Sequence, residues 1–528
     1  MRQGLCTNLP AHCTRAAARA LVDMTAQRCP ECGKPLLPAP AGPGPVRRGK
    51  AAIWASAAAV AVLIAGVAGW WTFGAPGPKS STAAALPAGQ SSAAVVLRID
   101  GSAPAAVIAG AALAEGFLRA SGSATVTRKG SVASGLTLTA DGGGARDSID
   151  VRGSGAEEAI RQLRNGSTDL IVISRPLTPA ERVDLRLLGD FTTSATEMVI
   201  ALDSVAVVVA PGNPLGQISV AQLRDLFAGR VGNWSQVPGS GQNGPIKLYA
   251  MADSLPVVDT FRTAVMAGDA LAASLVRIDN PDALLRTVAT DASAIGLVSL
   301  QHAHSAKVMP VTDGRSLAMQ PSRLLVATED YPLTRRLWMY VPQHASATAR
   351  RFAEFAQSDA GQGVVEHAGF VGQAVAAHGV DALRTPGLPA DYLKLAHGAR
   401  RLSVNLRFKG DGSELDAKAR RDLVRIVESL RAAPAPASLM LIGFSDDAGS
   451  AAGNARAAAD RASTAARALA AAGLRGAQVH GLGAVAPVAD DRSVDGRERN
   501  RRVEIWLGES VAAAPRTAPP PPQASATA

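Results

Sequence analysis

The sequence predicts a multidomain α/β chain held behind a single membrane-spanning helix, and three observations carry the prediction. The 528 residues exceed what one core organises and suffice for about three or four domains. From Val95 onward, short β-branched runs alternate with helical stretches, the pattern of α/β architecture. Residues 51–74 carry no charge, and all four cysteines fall within the first 32 residues, leaving 496 without any. Hydrophobic residues at 47% exclude a wholly disordered chain, and 51 Gly without a fixed period exclude collagen. The net charge of +10 is uneven: residues 1–50 hold eight Lys/Arg against two Asp/Glu. No basic stretch there alternates with stacking aromatics, so no nucleic-acid partner is expected.

The first element, residues 1–40, is expected to be a small zinc ribbon. Cys29 and Cys32 stand two residues apart before Gly33, a spacing that grips one tetrahedral metal, and Cys6 and Cys13 supply a second pair. His12 is an alternative to Cys13, and the six-residue gap between Cys6 and Cys13 is irregular for a ribbon. So short a stretch lacks a core, and a structural Zn would supply its stability. The rival readings are a redox pair, which belongs at the start of a helix in a larger domain, and incidental thiols.

Residues 51–74 form the second element. At ~1.5 Å per residue, 24 residues reach ~36 Å, against a bilayer core of ~30 Å. Arg47, Arg48 and Lys50 precede the span and only Lys79 follows closely. The positive-inside rule therefore puts the N-terminus in the cytoplasm and the rest outside, with one pass through the membrane. A cleaved signal peptide would have a shorter apolar stretch and a shorter leader. Residues 75–94, rich in Pro, Ser and Ala, read as a flexible linker.

Residues 95–375 carry the strands VVLRID, LIVIS, VAVVVA, KLYA, AIGLVSL and LWMYV, with a helix expected over 105–120. Capping boxes are expected at Ser154/Glu157, Thr178/Glu181 and Ser219/Gln222. Three further stretches are distinctive: Asp100-Gly101-Ser102, residues 152–181 (RGSGAEEAIRQLRNGSTDLIVISRPLTPAE) and residues 205–239, which include NPLGQISVAQLRDLFAGRVGNWSQV. In this order they resemble the type 2 periplasmic solute-binding proteins, within them the PstS-like phosphate-binding branch. The resemblance implies two α/β lobes with a ligand between them, phosphate or another small anion. Ser102, Ser154 and Ser174 lie where strands hand over to helices or turns, and Arg175 adds a cation, which makes these four the candidate ligand residues. The chain departs from the family on the second lobe, where Asp253-Ser254-Leu255-Pro256-Val257-Val258 replaces a stretch rich in hydroxyls with an arginine.

Residues 376–400 read as a second linker. Residues 401–508 follow as LSVNLRF, a charged helix over 413–430, SLMLIGFSD, an Ala-rich helix, AQVHGLG and NRRVEIWL. Gly443-Phe444-Ser445-Asp446, Asn454, Asp460-Arg461-Ala462, Gly481-Leu482-Gly483 and Asn500-Arg501-Arg502-Val503 resemble the OmpA-like peptidoglycan-binding domain, an α/β sandwich. The resemblance implies that Asp446 and Arg461 hold the zwitterionic end of diaminopimelate in the wall's stem peptide, with Asn454 ordering the loop and Arg501 or Arg502 supporting the pocket. Residues 509–528 read as a disordered tail.

With no catalytic dyad, phosphate loop or cofactor fingerprint, the chain is not expected to be an enzyme. The expectation is a membrane-anchored periplasmic protein that binds peptidoglycan and carries a solute-binding domain. The alternative is a structural tether whose solute domain has lost its ligand.

Overall fold

The computed structural model describes residues 94–508, apart from 103, 142–146, 254, 384, 411 and 432–437, and three short strands near the N-terminus. Those strands, β1 (Gln3–Cys6), β2 (Val22–Asp23) and β3 (Leu36–Pro38), form an antiparallel sheet in the order β2-β1-β3. The backbone of Cys6 closes β1. Cys13, Cys29, Cys32, the 51–74 span, the 75–93 stretch and the tail lie outside the described residues. Among the described residues, no helix is long and apolar enough to cross a membrane, and no three His, Cys, Asp or Glu are grouped to hold a metal ion.

The first lobe is built on β4 (Ala94–Gly101), β5 (Thr125–Ser131), β6 (Gly135–Asp141), β7 (Asp147–Val151) and β8 (Leu170–Ile173). Helix α1 (Ala105–Ala120) packs an Ala-rich face on them, with Leu113, Ala114 and Phe117 in the core. Helix α2 (Ala156–Asn165) follows β7. The long strand β9 (Glu197–Val209), buried at all 13 positions, then leaves this lobe for the other. The second lobe adds β10 (Ile218–Ser219), β11 (Lys247–Met251), β12 (Val276–Ile278), β13 (Ala294–Ser299), β14 (Lys307–Val308) and β15 (Val311–Thr312). Its core gathers Phe227, Trp234, Phe261 and Tyr331. Strand β16 (Thr334–Tyr340) returns along β9 to the first lobe and pairs with β8.

One sheet runs β12-β11-β13-β9-β16-β8-β4-β7-β6-β5. Its two halves meet on β9, where Val205–Val209 pair with β13 of the second lobe, and residues 197–204 pair with β16. The continuous apolar run VAVVV is the signature of a strand covered on both faces. The β5–β6–β7 meander over 125–151 carries no comparable run and was not foreseen from the sequence.

Residues 376–400, expected as a linker, are folded. They form β17 (Ala377–Gly379), a 3₁₀ turn (Val380–Leu383) and the helix Ala390–Ala396. Pro386, Gly387 and Pro389 break the periodicity and hide this from a sequence reading. Leu383, Tyr392 and Ala396 are nonetheless buried, and the Tyr392 hydroxyl donates to Glu504 at 2.8 Å.

The C-terminal domain sets β18 (Arg400–Arg407), β19 (Ser438–Gly443), β20 (Gln478–Gly481) and β21 (Arg502–Gly508) in the order β17-β18-β21-β19-β20. Helices α3 (Ala417–Arg431) and α4 (Ala451–Ala471) pack on this sheet around Leu406, Ile426, Leu441, Ala465 and Ile505. The short helix Val494–Asn500, which precedes β21, was not foreseen. The glycines explain the Ala-rich α4. A Cβ on Gly443 would stand 2.0 Å from the Ala458 carbonyl oxygen, and one on Gly481 2.5 Å from the Ala459 nitrogen. Helix backbone therefore rests directly on strand backbone.

Candidate functional site

In the first lobe, the carboxyl ends of the parallel strands β4, β7 and β8 converge, the usual place for a ligand in such sheets. Ser102 and Ser174 stand together: the Ser102 hydroxyl donates to Ser174 Oγ at 3.2 Å and accepts from the Ser174 N–H at 2.9 Å. Ser154 turns instead to Asp100, donating from its hydroxyl at 2.7 Å and its N–H at 3.1 Å. Asp100 is 2% exposed and also accepts from the Gly101 N–H at 2.7 Å.

This corrects the expected Ser154/Glu157 capping box. The Ser154 hydroxyl is drawn to donate to a buried carboxylate, a charge-assisted bond, instead of accepting from the first N–H groups of the helix. Helix α2 starts one residue later, capped by Gly155 at φ 97° without a side-chain bond. The boxes at Thr178/Glu181 and Ser219/Gln222 form as expected. Arg175 is held by Glu181 in a two-pronged pair at 2.7 and 2.8 Å. That hydrogen-bonded guanidinium holds the Glu181 carboxyl down at about 2, so the pair is ionic at neutral pH. On the second lobe, Asp253 engages Arg262 at 3.2 Å and Arg277 at 3.4 Å, while Met251 and Val257 are buried. The first lobe thus clusters the candidate serines, but Ser154 and Arg175 already have protein partners.

In the C-terminal domain, Asp446 lies three residues beyond β19, 9% exposed, and its carboxylate accepts from Arg501 at 2.9 Å. Arg461 is buried on α4, on the turn whose Ala458 and Ala462 touch Gly443. Close helix-on-strand packing thus carries Arg461 toward the strand end that bears Asp446. Asn454 spans the intervening loop, accepting from the Gly449 N–H at 3.1 Å and donating to the Gly449 carbonyl at 3.2 Å. Burial pushes the carboxyl of Asp491 upward, and the neighbouring charges of Asp446 and Asp447 add to the shift. Arg502 is not part of this group. Arg501 caps the helix before β21, whereas Arg502 opens the strand, lies over the Phe444 ring at 3.9 Å and donates to Glu504 at 3.1 Å.

Arg502 belongs to a buried ionic cluster between the two domains that the sequence did not reveal. Asp330 of the second lobe accepts from Arg401 at 2.6 Å and Asn405 at 2.9 Å, with Arg407 at 3.5 Å and Arg502 at 3.8 Å. Burial alone would raise the Asp330 carboxyl, and the guanidiniums of Arg401, Arg502 and Arg407 more than offset it. Burial also raises the carboxyl of its half-buried neighbour Glu329, yet Arg336, Lys418 and Arg407 hold it at about 2. Arg499 adds bonds to the carbonyls of Glu329, Asp330 and Tyr331, each at 3.2 Å. Trp506, Phe444 and Val488 close the apolar side of the contact against the second-lobe core.

Known proteins match both domains. The model of the OmpA family matches residues 407–501. Protein SphX of Synechococcus elongatus is 27% identical over 234 residues, which is 42% of this chain and 68% of SphX. Phosphate-binding protein PstS of Staphylococcus haemolyticus is 26% identical over 227 residues, 42% of this chain and 69% of that protein. The crystal structure of an ABC-type phosphate transport receptor from Vibrio cholerae covers 52% of this chain and 99% of its own, at 20% identity and a TM-score of 0.40. The model of the PBP superfamily domain matches residues 88–360, more than half of the chain, so the protein belongs to the PBP superfamily and joins to its PstS-type domain a C-terminal OmpA domain.

Proposed function

We propose that this protein is a cell-envelope component that holds peptidoglycan through its C-terminal domain and carries a solute-binding module beside it. The placing of Asp446, Arg461 and Asn454 carries this reading. The free end of diaminopimelate is a zwitterion, and each charge calls for a charge-assisted hydrogen bond. Asp446 would take the ammonium and Arg461 the carboxylate, while Arg501 holds Asp446 in place from 2.9 Å. The test is co-sedimentation of the full chain with purified peptidoglycan. Wild type should pellet, and Asp446→Ala and Arg461→Ala should each stay in the supernatant. Both variants pelleting like wild type would refute the assignment.

For the solute module, the relatives named as phosphate-binding proteins favour a small oxyanion, taken by Ser102, Ser174 and the strand ends of the first lobe. The Arg175–Glu181 and Ser154–Asp100 pairs favour a second reading, in which the module binds phosphate weakly or not at all and serves as a spacer or docking body. Calorimetry with inorganic phosphate separates the two. We further propose that residues 51–74 anchor the chain in the inner membrane with the N-terminus cytoplasmic, and that Cys6, Cys13, Cys29 and Cys32 hold one Zn. The support for both lies in the sequence pattern.

A further inference from the structure

The two lobes are joined by β9 and β16, and folds of this kind close on ligand by rotation about such a hinge. The C-terminal domain bonds to both sides of it. Toward the second lobe, β18 brings Arg401 and Asn405 onto Asp330, and Arg407 onto the Thr328 carbonyl at 2.9 Å. Toward the first lobe, α3 presents three arginines on one face. Arg420 donates to the Thr192 carbonyl at 3.2 Å, and Arg421 donates to the Ser194 carbonyl. Arg425 donates to Gln357 at 2.6 Å and to Gln373 at 3.0 Å. Both glutamines in turn donate to the Val199 carbonyl on β9, so Arg425 reaches the hinge strand through one intermediary. At the hinge itself, Arg336 of β16 lies between Glu329 at 2.7 Å and Asp416, just ahead of α3, at 3.4 Å.

We propose that the C-terminal domain is a strut across the hinge, and that Arg420, Arg421 and Arg425 are positioning residues that fix the angle between the lobes. Because β18 and α3 share one core, any rotation that parts the lobes must pull either α3 from the first lobe or β18 from Asp330. Hinges move when their two states differ by little free energy; here one state holds an added set of arginine-donated bonds, buried toward Asp330 and part-buried toward the first lobe. The wall-binding domain and the cleft then move as one body. The inference rests on the fold and its contacts, and stands whether or not the cleft binds a solute or Asp446 binds the wall.

The test is pulsed dipolar spectroscopy on the full chain, with ketone-reactive spin labels on unnatural residues at Arg164 of the first lobe and Asp282 of the second, which leaves the cysteines untouched. Without ligand, wild type should give a single narrow distance distribution. The Arg420→Ala/Arg421→Ala/Arg425→Ala variant should broaden it about twofold or split it, as expected for a released hinge. Arg425→Met alone, which keeps the apolar stem and removes only one set of bonds, should broaden it in part and covers the case in which the triple variant fails to fold. The strut is overturned by a wild-type distribution that is already broad, by one that shifts on adding inorganic phosphate, or by a folded variant as narrow as wild type.

Discussion

Replacing Asp330 by Asn keeps the shape of the side chain and one acceptor oxygen but removes the charge at the centre of the interdomain cluster. Asp330 is 1% exposed, and three guanidiniums lie within 2.6 to 3.8 Å of its oxygens. At an effective dielectric near 20, one such pair at about 4 Å is worth about 4 kcal/mol before relaxation. Removing one partner of a buried pair leaves the others uncompensated and costs about 3–5 kcal/mol. Here Glu504 still faces Arg401 at 3.3 Å and Arg502 at 3.1 Å, which places the loss toward the lower end. At about 2.1 cal/mol/K per residue, a loss of about 3 kcal/mol lowers the melting temperature of the unit spanning Gln90–Ala528 by roughly 3–4 °C. Differential scanning calorimetry at neutral pH reads the shift. In a cycle with Arg401→Met, the two losses should fall short of additive by at least about 1 kcal/mol. An unchanged melting temperature, or strict additivity, would mean that the cluster does not join the domains as described.

Other outcomes follow from the same contacts. Glu329 is held at about 2 against an ordinary 4.5, so its stabilising effect is complete above about pH 4.5 and is lost as pH falls through about 2. Melting temperature should therefore decline across that window, and Glu329→Gln should flatten the decline. Gly443→Ala, which puts a Cβ 2.0 Å from the Ala458 oxygen, should displace α4 and abolish peptidoglycan sedimentation together with the native near-ultraviolet signal. Glu181→Gln frees the Arg175 guanidinium and should tighten inorganic phosphate binding by calorimetry; no gain would remove Arg175 from the site. Metal analysis of purified protein should find one zinc per chain, lost in Cys29→Ser.

Much of the fold was legible because its strands are marked by short apolar runs holding β-branched residues: LIVI over 170–173 and AIGLVS over 294–299 stand where the pattern puts them. The Ser154 cap failed because its competitor, Asp100, is 54 residues away in sequence, and a local motif cannot register a distant acceptor. The folded 376–400 stretch was hidden for a similar reason. Its order comes from Tyr392 meeting Glu504, 112 positions on, rather than from any periodicity of its own. The pairing of Asp446 with Arg501 left a trace in the motifs around each, whereas the cluster at Glu329 and Asp330 left none. Charges scattered over 329–336, 401–422 and 499–504 converge only once β18 lies against the second lobe. Arg501 caps the short helix and turns to Asp446, while Arg502 opens β21 opposite Arg407 and joins that cluster, a division set by where the helix ends and the strand begins.

Binding of a soluble muropeptide that ends in diaminopimelate, compared between wild type, Asp446→Ala and Arg461→Ala by calorimetry on the full chain, tests whether this pocket holds the cell wall. Wild type should bind, and each substitution should weaken binding by about 2–5 kcal/mol, the range for unmatching one partner of a buried charge contact. Equal affinity in all three proteins would contradict the assignment of this pocket to the cell wall.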